Sequence, residues 1–437
     1  MAKGSRQVSQ AWDQNCIQYH RPGDWMNMIV PQSEGDTSLN LTNSSAIPLF
    51  ARLLREANYT TEAQYLHLLF FAILVIPELG PAPIAASGTP QWPSFMTDDG
   101  TPMEIGWDWG WRGSGNSKPT VRYSIEPIGQ MAGTLEDPLN KFAGIRLMRR
   151  LQAVLPSTNL EWFDHFSAEF VNFDEGQDSS SVYNGYKLTQ LESHNSRMFT
   201  AFDLDGTNLL VKSYFLPAFK AHHTGKSNLE VVIQAIETLP GYQEPNFRAF
   251  TMLREFIQST KTASLEVEIF AIDCMKPAES RLKGLRGRLN GPRIDEGLND
   301  LWELWNLVFD TGECASESAH LTYRGHRTAG ILYYFEIRQG SDFPVPKIYL
   351  PVRHYGRNDY AVAQGLGTYL SRRGQKAAAD GFIRALKNTF STSRLEGTCG
   401  VQTYIGGTIK DSSLKLISYI SPQVYENLSE VRLQNSS

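Results

Sequence analysis

Cysteine is scarce in this chain, and what little there is excludes two roles at once. Four cysteines occur in 437 residues: Cys16, Cys274, Cys314 and Cys399. They lie far apart, no C-x-x-C is present, and no paired spacing suggests zinc ligation. Free thiols in a reducing cytosol are the simplest expectation. The polar N-terminus has no secretory signal, so a cytoplasmic location is expected. Long apolar runs are also missing. The longest, Leu66–Ile76, is too short to span a bilayer and ends at Pro77, so it reads as a buried helix and no membrane partner is expected. There is no excess of positive charge either. The formal net charge of −5 argues against a nucleic-acid partner, because binding a phosphate backbone needs a basic surface. No P-loop or GxGxxG is present, since Gly284-Leu285-Arg286-Gly287 lacks both the spacing and the lysine.

What is present is the composition of a globular protein, 41% hydrophobic and 20% charged. Residues 1–45 form a polar N-terminal segment, 46–425 read as a single domain, and 426–437 as a flexible C-terminal tail. Helical patterns cover Ile47–Ile76, Asp137–Leu155, Asn228–Leu239, Asn246–Thr260, Asp295–Phe309, Asp359–Arg372 and Gln375–Phe390. A strand–helix stretch is expected over Leu160–Leu191, and Pro81–Pro93 reads as a loop. Strands are expected at Met103–Trp109, Thr120–Pro127, Met198–Asp203, Leu209–Phe215, Val267–Cys274, Ser280–Leu285, Gly330–Ile337, Lys347–Val352, Cys399–Ile409 and Ser413–Ile420. Strands come in adjacent pairs joined by short polar turns, which implies antiparallel pairing rather than a parallel βαβ sheet. The fold class is therefore α+β. About ten antiparallel strands would close on themselves, leaving no exposed edge, with helices outside and a lumen wider than side chains alone fill.

The chemistry begins at Val211-Lys212-Ser213-Tyr214-Phe215. Residues two apart on a strand share a face, so Lys212 and Tyr214 project together. The offset returns at Lys347-Ile348-Tyr349 and, degraded, at Arg281-Leu282-Lys283-Gly284-Leu285. Tyr404, Lys410 and Tyr419 add further phenols and a cation near the end of the chain. One such pair taken singly is usually solvated surface; recurrence on separate strands suggests a shared inner face. If Arg122, Lys212, Arg281, Lys283, Lys347 and Lys410 line one lumen, a bound polyanion must offset their repulsion, and a diphosphate is the natural candidate. The other way to hold diphosphate, magnesium on a DDxxD helix, has no sequence support. Asp98-Asp99 runs into Gly100-Thr101, and Asp203-Leu204-Asp205 reads as a turn. No metal or other cofactor is expected. Tyr214, Tyr349, Tyr404 and Tyr419 are either ordinary lining or a ring around an allylic cation, shielding it from water. Glu104, in an apolar and aromatic strand, either faces solvent or accepts a hydrogen bond from an aromatic N–H or O–H inside the lumen. Trp92, Trp107, Trp109 and Trp111 are compatible with a large planar acceptor and equally with core.

At these residues the chain resembles the dimethylallyltryptophan synthase (DMATS) family of fungal aromatic, chiefly indole, prenyltransferases. The likeness runs in order through Gly100-Thr101-Pro102-Met103-Glu104, Gly133-Thr134-Leu135-Glu136-Asp137-Pro138-Leu139-Asn140, Phe163-Asp164-His165-Phe166, Val211-Lys212-Ser213-Tyr214, Ser280-Arg281-Leu282-Lys283, Pro346-Lys347-Ile348-Tyr349-Leu350-Pro351 and Gln402-Thr403-Tyr404-Ile405. It implies the ten-stranded ABBA barrel and metal-independent transfer of a dimethylallyl group from dimethylallyl diphosphate to an aromatic acceptor, most naturally an indole. It also implies that Glu104 anchors the acceptor, that Arg122, Lys212, Arg281, Lys283, Lys347 and Lys410 bind the diphosphate, and that Tyr214, Tyr349, Tyr404 and Tyr419 shield the prenyl cation. Two positions depart from the family pattern. Leu285 stands where a shield tyrosine is usual, which opens space for a longer donor such as geranyl diphosphate. Lys347 stands where many members have glutamine. A homodimer is compatible with the resemblance. The readings left open are a phenolic or polyketide acceptor, a non-catalytic barrel carrying a hydrophobic or anionic small molecule, and a metal-dependent terpene synthase.

Overall fold

The computed structural model describes residues 46–81, 90–110, 118–172, 195–259, 267–284, 295–309, 321, 329–410 and 413–425. Ten strands form one closed antiparallel sheet in chain order: β1 Met103–Asp108, β2 Thr120–Ile125, β3 Met198–Asp205, β4 Asn208–Phe215, β5 Phe270–Asp273, β6 Arg281–Gly284, β7 Leu332–Arg338, β8 Val345–Leu350, β9 Gln402–Lys410 and β10 Ser413–Ile420. Pairing of β1 with β10 closes the ring, so no strand is left with an unpaired edge. The expected strand count, antiparallel pairing and closure all hold. Several ends shift by a few residues. After Leu350, Pro351 stops the strand and Val352–Tyr355 turns into a short helix.

The helical stretch expected over Ile47–Ile76 is two helices, Ile47–Glu56 and Thr61–Phe70, the second continued by π and 3₁₀ turns to Glu78. Asn58 causes the break: its φ is +58°, in the left-handed region that ends helices. Thr60 then caps the next helix by accepting the amide of Ala63 at 3.2 Å. The helix expected from Asp137 begins at Phe142 instead. Asp137 instead accepts the amide of Lys141, the residue before the helix, at 2.8 Å, and no side chain caps the helix itself. Part of Leu160–Leu191 appears as the helix Glu161–Phe170, and residues 173–191 lie outside the described residues.

Strand alternation separates two environments. One set of residues faces the helices and makes the core, including Trp107, Tyr123, Phe202, Val211, Phe215, Leu282, Ile337 and Ile405, all buried. Phe215 packs 5.9–6.2 Å, centroid to centroid, from Phe163, Phe166 and Phe170 of the helix Glu161–Phe170. Trp109 donates its indole N–H to Ser418 at 3.0 Å, and both Trp107 and Trp109 pack on Phe382. These two tryptophans therefore belong to the core and not to an acceptor pocket; Trp111 lies outside the described residues. The other set of residues points into the barrel.

Candidate active site

The strand registers carry this inner face around the ring. Glu104 lies opposite Ser124, and Gly106 opposite Arg122 and Tyr419. Arg122 is opposite Asp203, Ala201 opposite Lys212, and Lys212 opposite Asp273. Ala271 pairs with Lys283, Lys283 with Glu336, Tyr334 with Lys347, and Tyr349 with Gly406. The structure thus brings Glu104, Arg122, Lys212, Tyr214, Arg281, Lys283, Lys347, Tyr349, Tyr404 and Tyr419 to one lumen. Lys410 ends β9, but its side chain lies outside the described residues, as does Leu285. Glycine shapes the space. A Cβ on Gly106 would come within 2.5 Å of Arg122 Cγ, and one on Gly406 would meet Lys347, Tyr419 and Tyr349 at 3.2–3.4 Å.

One end of the lumen is charged, and here the expectation of unscreened cations needs correction. Carboxylates interleave them. Arg122 contacts Asp108 at 2.5 Å and Asp203 at 3.7 Å. Lys212 pairs with Asp203, and both Arg281 and Lys283 pair with Asp273. Arg281 also reaches Glu336 at 3.1 Å, and Lys415 reaches Asp108 at 3.0 Å. Lys347 has no such partner among the described residues. Its Nζ lies 3.3 Å from the Tyr419 hydroxyl and 4.9 Å from the centre of the Tyr349 ring. Six cations thus meet four carboxylates. The network is self-supporting and carries an excess of positive charge only to the extent that Lys283 and Lys347 are protonated, so a polyanion is favoured but is not required for folding. Burial draws Asp203 upward, but Arg122 and Lys212 outweigh it and hold the carboxyl well below the usual range. Burial, with Lys212 alongside, brings Lys283 down to about 7 despite Asp273. Burial also lowers Lys347 well below an ordinary amine, and Arg122 adds to the effect.

The other end is aromatic and opens into a cavity of about 190 Å³ whose walls include Phe95, Glu104, Tyr214, Tyr334, Tyr349 and Tyr404, with Tyr419. Tyr349 is the hub, its ring 5.6–6.2 Å from those of Tyr334, Tyr404 and Tyr419. Burial raises the phenols of Tyr214, Tyr334 and Tyr419, and takes Tyr349 to about 12, so all four stay neutral at physiological pH. Glu104 accepts a 2.6 Å hydrogen bond from Thr403. Burial lifts its carboxyl to about 7, an effect that bond only partly offsets. Arg353, paired with Asp98 at 3.0 Å and stacked over Tyr404 at 5.2 Å, completes this wall. The segment carrying Phe95 is fixed by buried Glu126. That carboxylate accepts from Trp92 at 2.8 Å, Ser94 at 2.5 Å and Ser196 at 2.6 Å. Trp92 is therefore an anchor for this segment.

Sequence reasoning missed Asp108, Asp203, Asp273, Glu336, Lys415, Tyr334 and Arg353. Parity was a usable signal for Lys415, which shares a face with Tyr419 four residues on, and for Tyr334 beside Glu336. Arg353 follows the proline that ends β8, where strand alternation carries no information. Among the described residues no group of three or more His, Cys, Asp or Glu side chains is arranged to hold a metal ion, and no helix is long and apolar enough to cross a membrane.

Comparison with known proteins agrees with this geometry. Residues 43–385 match the family model for tryptophan dimethylallyltransferase. The chain is 36% identical to 4-O-dimethylallyl-L-tyrosine synthase of Claviceps purpurea, with 86% of each chain covered. It is 32% identical to 7-dimethylallyltryptophan synthase of Aspergillus fumigatus, over 92% of this chain and 89% of that one. The crystal structure of AnaPT from Neosartorya fischeri superposes with a TM-score of 0.74 at 25% identity, covering 92% of this chain and 98% of AnaPT. With family, barrel and sequence in agreement, this chain belongs to the tryptophan dimethylallyltransferase family and is an aromatic prenyltransferase, moving a dimethylallyl group onto an aromatic acceptor.

Proposed function

We propose that the charged end of the lumen holds the diphosphate of dimethylallyl diphosphate through Arg122, Lys212, Arg281, Lys283 and Lys347, with Lys410 at the end of β9. The prenyl group then lies among Tyr214, Tyr349, Tyr404 and Tyr419, with Tyr334 added to the shield. As the bond between the allylic carbon and oxygen breaks, its electron pair goes to the diphosphate. The cation left behind is stabilised by neutral phenol faces, each worth about 2 kcal/mol when desolvated, and is kept from water by the same rings. An aromatic carbon supplies the electron pair of the new bond, and its proton then passes to the released diphosphate or to solvent, which restores aromaticity. Glu104 accepts the N–H or O–H of the acceptor, holding the ring and offsetting the positive charge that develops on it. The reaction needs no metal, since lysine and arginine take the role magnesium has elsewhere.

The observation that carries this reading is the meeting, in one lumen, of a cluster rich in lysine and arginine, three phenol rings packed around that of Tyr349 and a buried carboxylate. Simple carriage of a ligand needs no such combination. The acceptor is read as an indole-bearing molecule. The second reading is a phenol, favoured by the tyrosine in the name of the relative at 36% identity. Incubation with dimethylallyl diphosphate and either tryptophan or tyrosine derivatives, with and without EDTA, tests both, with products followed by mass spectrometry. Product that survives EDTA is expected. Binding without turnover would favour a carrier, and loss of all turnover in EDTA would favour metal-dependent chemistry. A ten-carbon donor is a further reading, carried by leucine at position 285. An unchanged ratio of five- to ten-carbon turnover in Leu285→Tyr counts against it.

A further inference from the structure

Among the described cations of the lumen, Arg122, Lys212, Arg281, Lys283 and Lys415 each touch a carboxylate. Lys347 touches a phenol instead, and its Nζ sits over two tyrosine rings, 4.9 Å from the centre of Tyr349 and 5.8 Å from that of Tyr419. The groups that face it come from every side of the barrel. Arg122, Lys212 and Lys283 approach from β2, β4 and β6, and Asp108 of β1 opposes them electrostatically. Its register partners on β7 and β9 are Tyr334 and Thr408, neither of them charged. An ammonium here is disfavoured in the empty lumen by burial and by three neighbouring cations. A diphosphate reverses that balance.

Position adds a second argument. Lys347 stands at the seam between the cation cluster and the tyrosine cage. By chemistry that seam is where the allylic carbon meets the oxygen it loses. We propose that Lys347 joins the donor complex by taking up a proton from solvent, and that its ammonium then donates a hydrogen bond to the oxygen leaving the allylic carbon. The electron pair of the broken bond stays on that oxygen, and the lysine returns its proton to solvent when the diphosphate departs. The proposal rests on the reading that this cluster holds the donor diphosphate.

The test is calorimetry of the full-length protein with dimethylallyl thiolodiphosphate and with inorganic pyrophosphate at pH 8.5, in buffers of different protonation enthalpy. The wild type should take up about one proton more per ligand bound than Lys347→Gln or Lys347→Arg. Its Kd should weaken by about tenfold per pH unit more than that of either variant wherever the free Lys347 amine is neutral and the complex charged. Lys347→Arg, which keeps its charge, should bind with the same reduced proton uptake as Lys347→Gln and so separates charge from titration. Equal uptake in all three proteins overturns the role of Lys347 while leaving the diphosphate site intact. A wild type that binds neither ligand overturns both.

Discussion

Glu104→Gln should make this protein more stable and less active, with both effects set by pH. Burial raises the Glu104 carboxyl from the 4.5 of a solvated glutamate to about 7. The folded state therefore prefers the protonated acid. Its favourable contribution is complete below 4.5 and is lost as pH rises through 7, where the ionised group bears its full desolvation cost. That difference corresponds to at most about 3 kcal/mol. Glutamine is never ionised, so Glu104→Gln should exceed the wild type in stability by up to about 3 kcal/mol at pH 8, with the gap closing near pH 4.5. Activity should move the opposite way. About nine-tenths of Glu104 is ionised at pH 8 and about one-tenth at pH 6, so wild-type kcat/KM for the acceptor should fall roughly tenfold between them. The glutamine variant should lose a further hundredfold to thousandfold at pH 8, typical of removing one preorganised stabilising group. Urea denaturation and steady-state kinetics at pH 5, 6 and 8 measure both. Near-normal turnover in the variant, or no gain in stability at pH 8, would refute a buried carboxylate that stabilises the reacting ring.

Other predictions concern the two ends of the lumen. Tyr349→Phe keeps the aromatic face and should stay near wild type, whereas Tyr349→Leu should lose about thirtyfold in kcat, the equivalent of about 2 kcal/mol; it should also release more prenyl alcohol, and equal rates in the two would remove the ring from cation stabilisation. Gly106→Ala places a methyl against Arg122 and should raise donor KM about tenfold to a hundredfold through misplacement of the guanidinium, with acceptor KM little changed as the check. Asp273→Asn leaves Arg281 without its β5 partner and Lys283 without its carboxylate, and should cost about 3–5 kcal/mol in thermal or chemical unfolding; added pyrophosphate should recover part of that loss by binding the folded state, and a variant as stable as wild type would contradict a cation cluster held together by that carboxylate.

Much of this was legible before any coordinates, because strand alternation is a local property. Lys212 with Tyr214 and Lys347 with Tyr349 share a face by geometry alone, and the polar turns between paired strands imply antiparallel closure. Charge balance is not local. Asp203 sat in a run that read as a turn, yet β3 extends through it to Asp205, and its partners Arg122 and Lys212 lie on β2 and β4. Asp273 is the last residue of β5, and its partners Arg281 and Lys283 lie across the next pairing. Only the register between strands shows that these acids face the cations. The division of the first helical stretch at Asn58 was local and readable, since asparagine followed by a Thr60 cap is a helix-ending pattern. The role of Glu126 was not, because its three donors come from residues between 30 and 70 positions away.

The barrel is built inside out. Its oily packing lies beneath the outer helices, and the aromatic end of the hollow is furnished with side chains such as Phe95, Phe199 and Tyr404 that lie outside that packed cluster. A replacement on the cavity wall near Phe95 or Phe199 therefore alters what fits without undermining what holds the protein together. Such a scaffold can exchange one aromatic partner for another by small steps, as expected of an architecture shared by a tyrosine enzyme and a tryptophan enzyme.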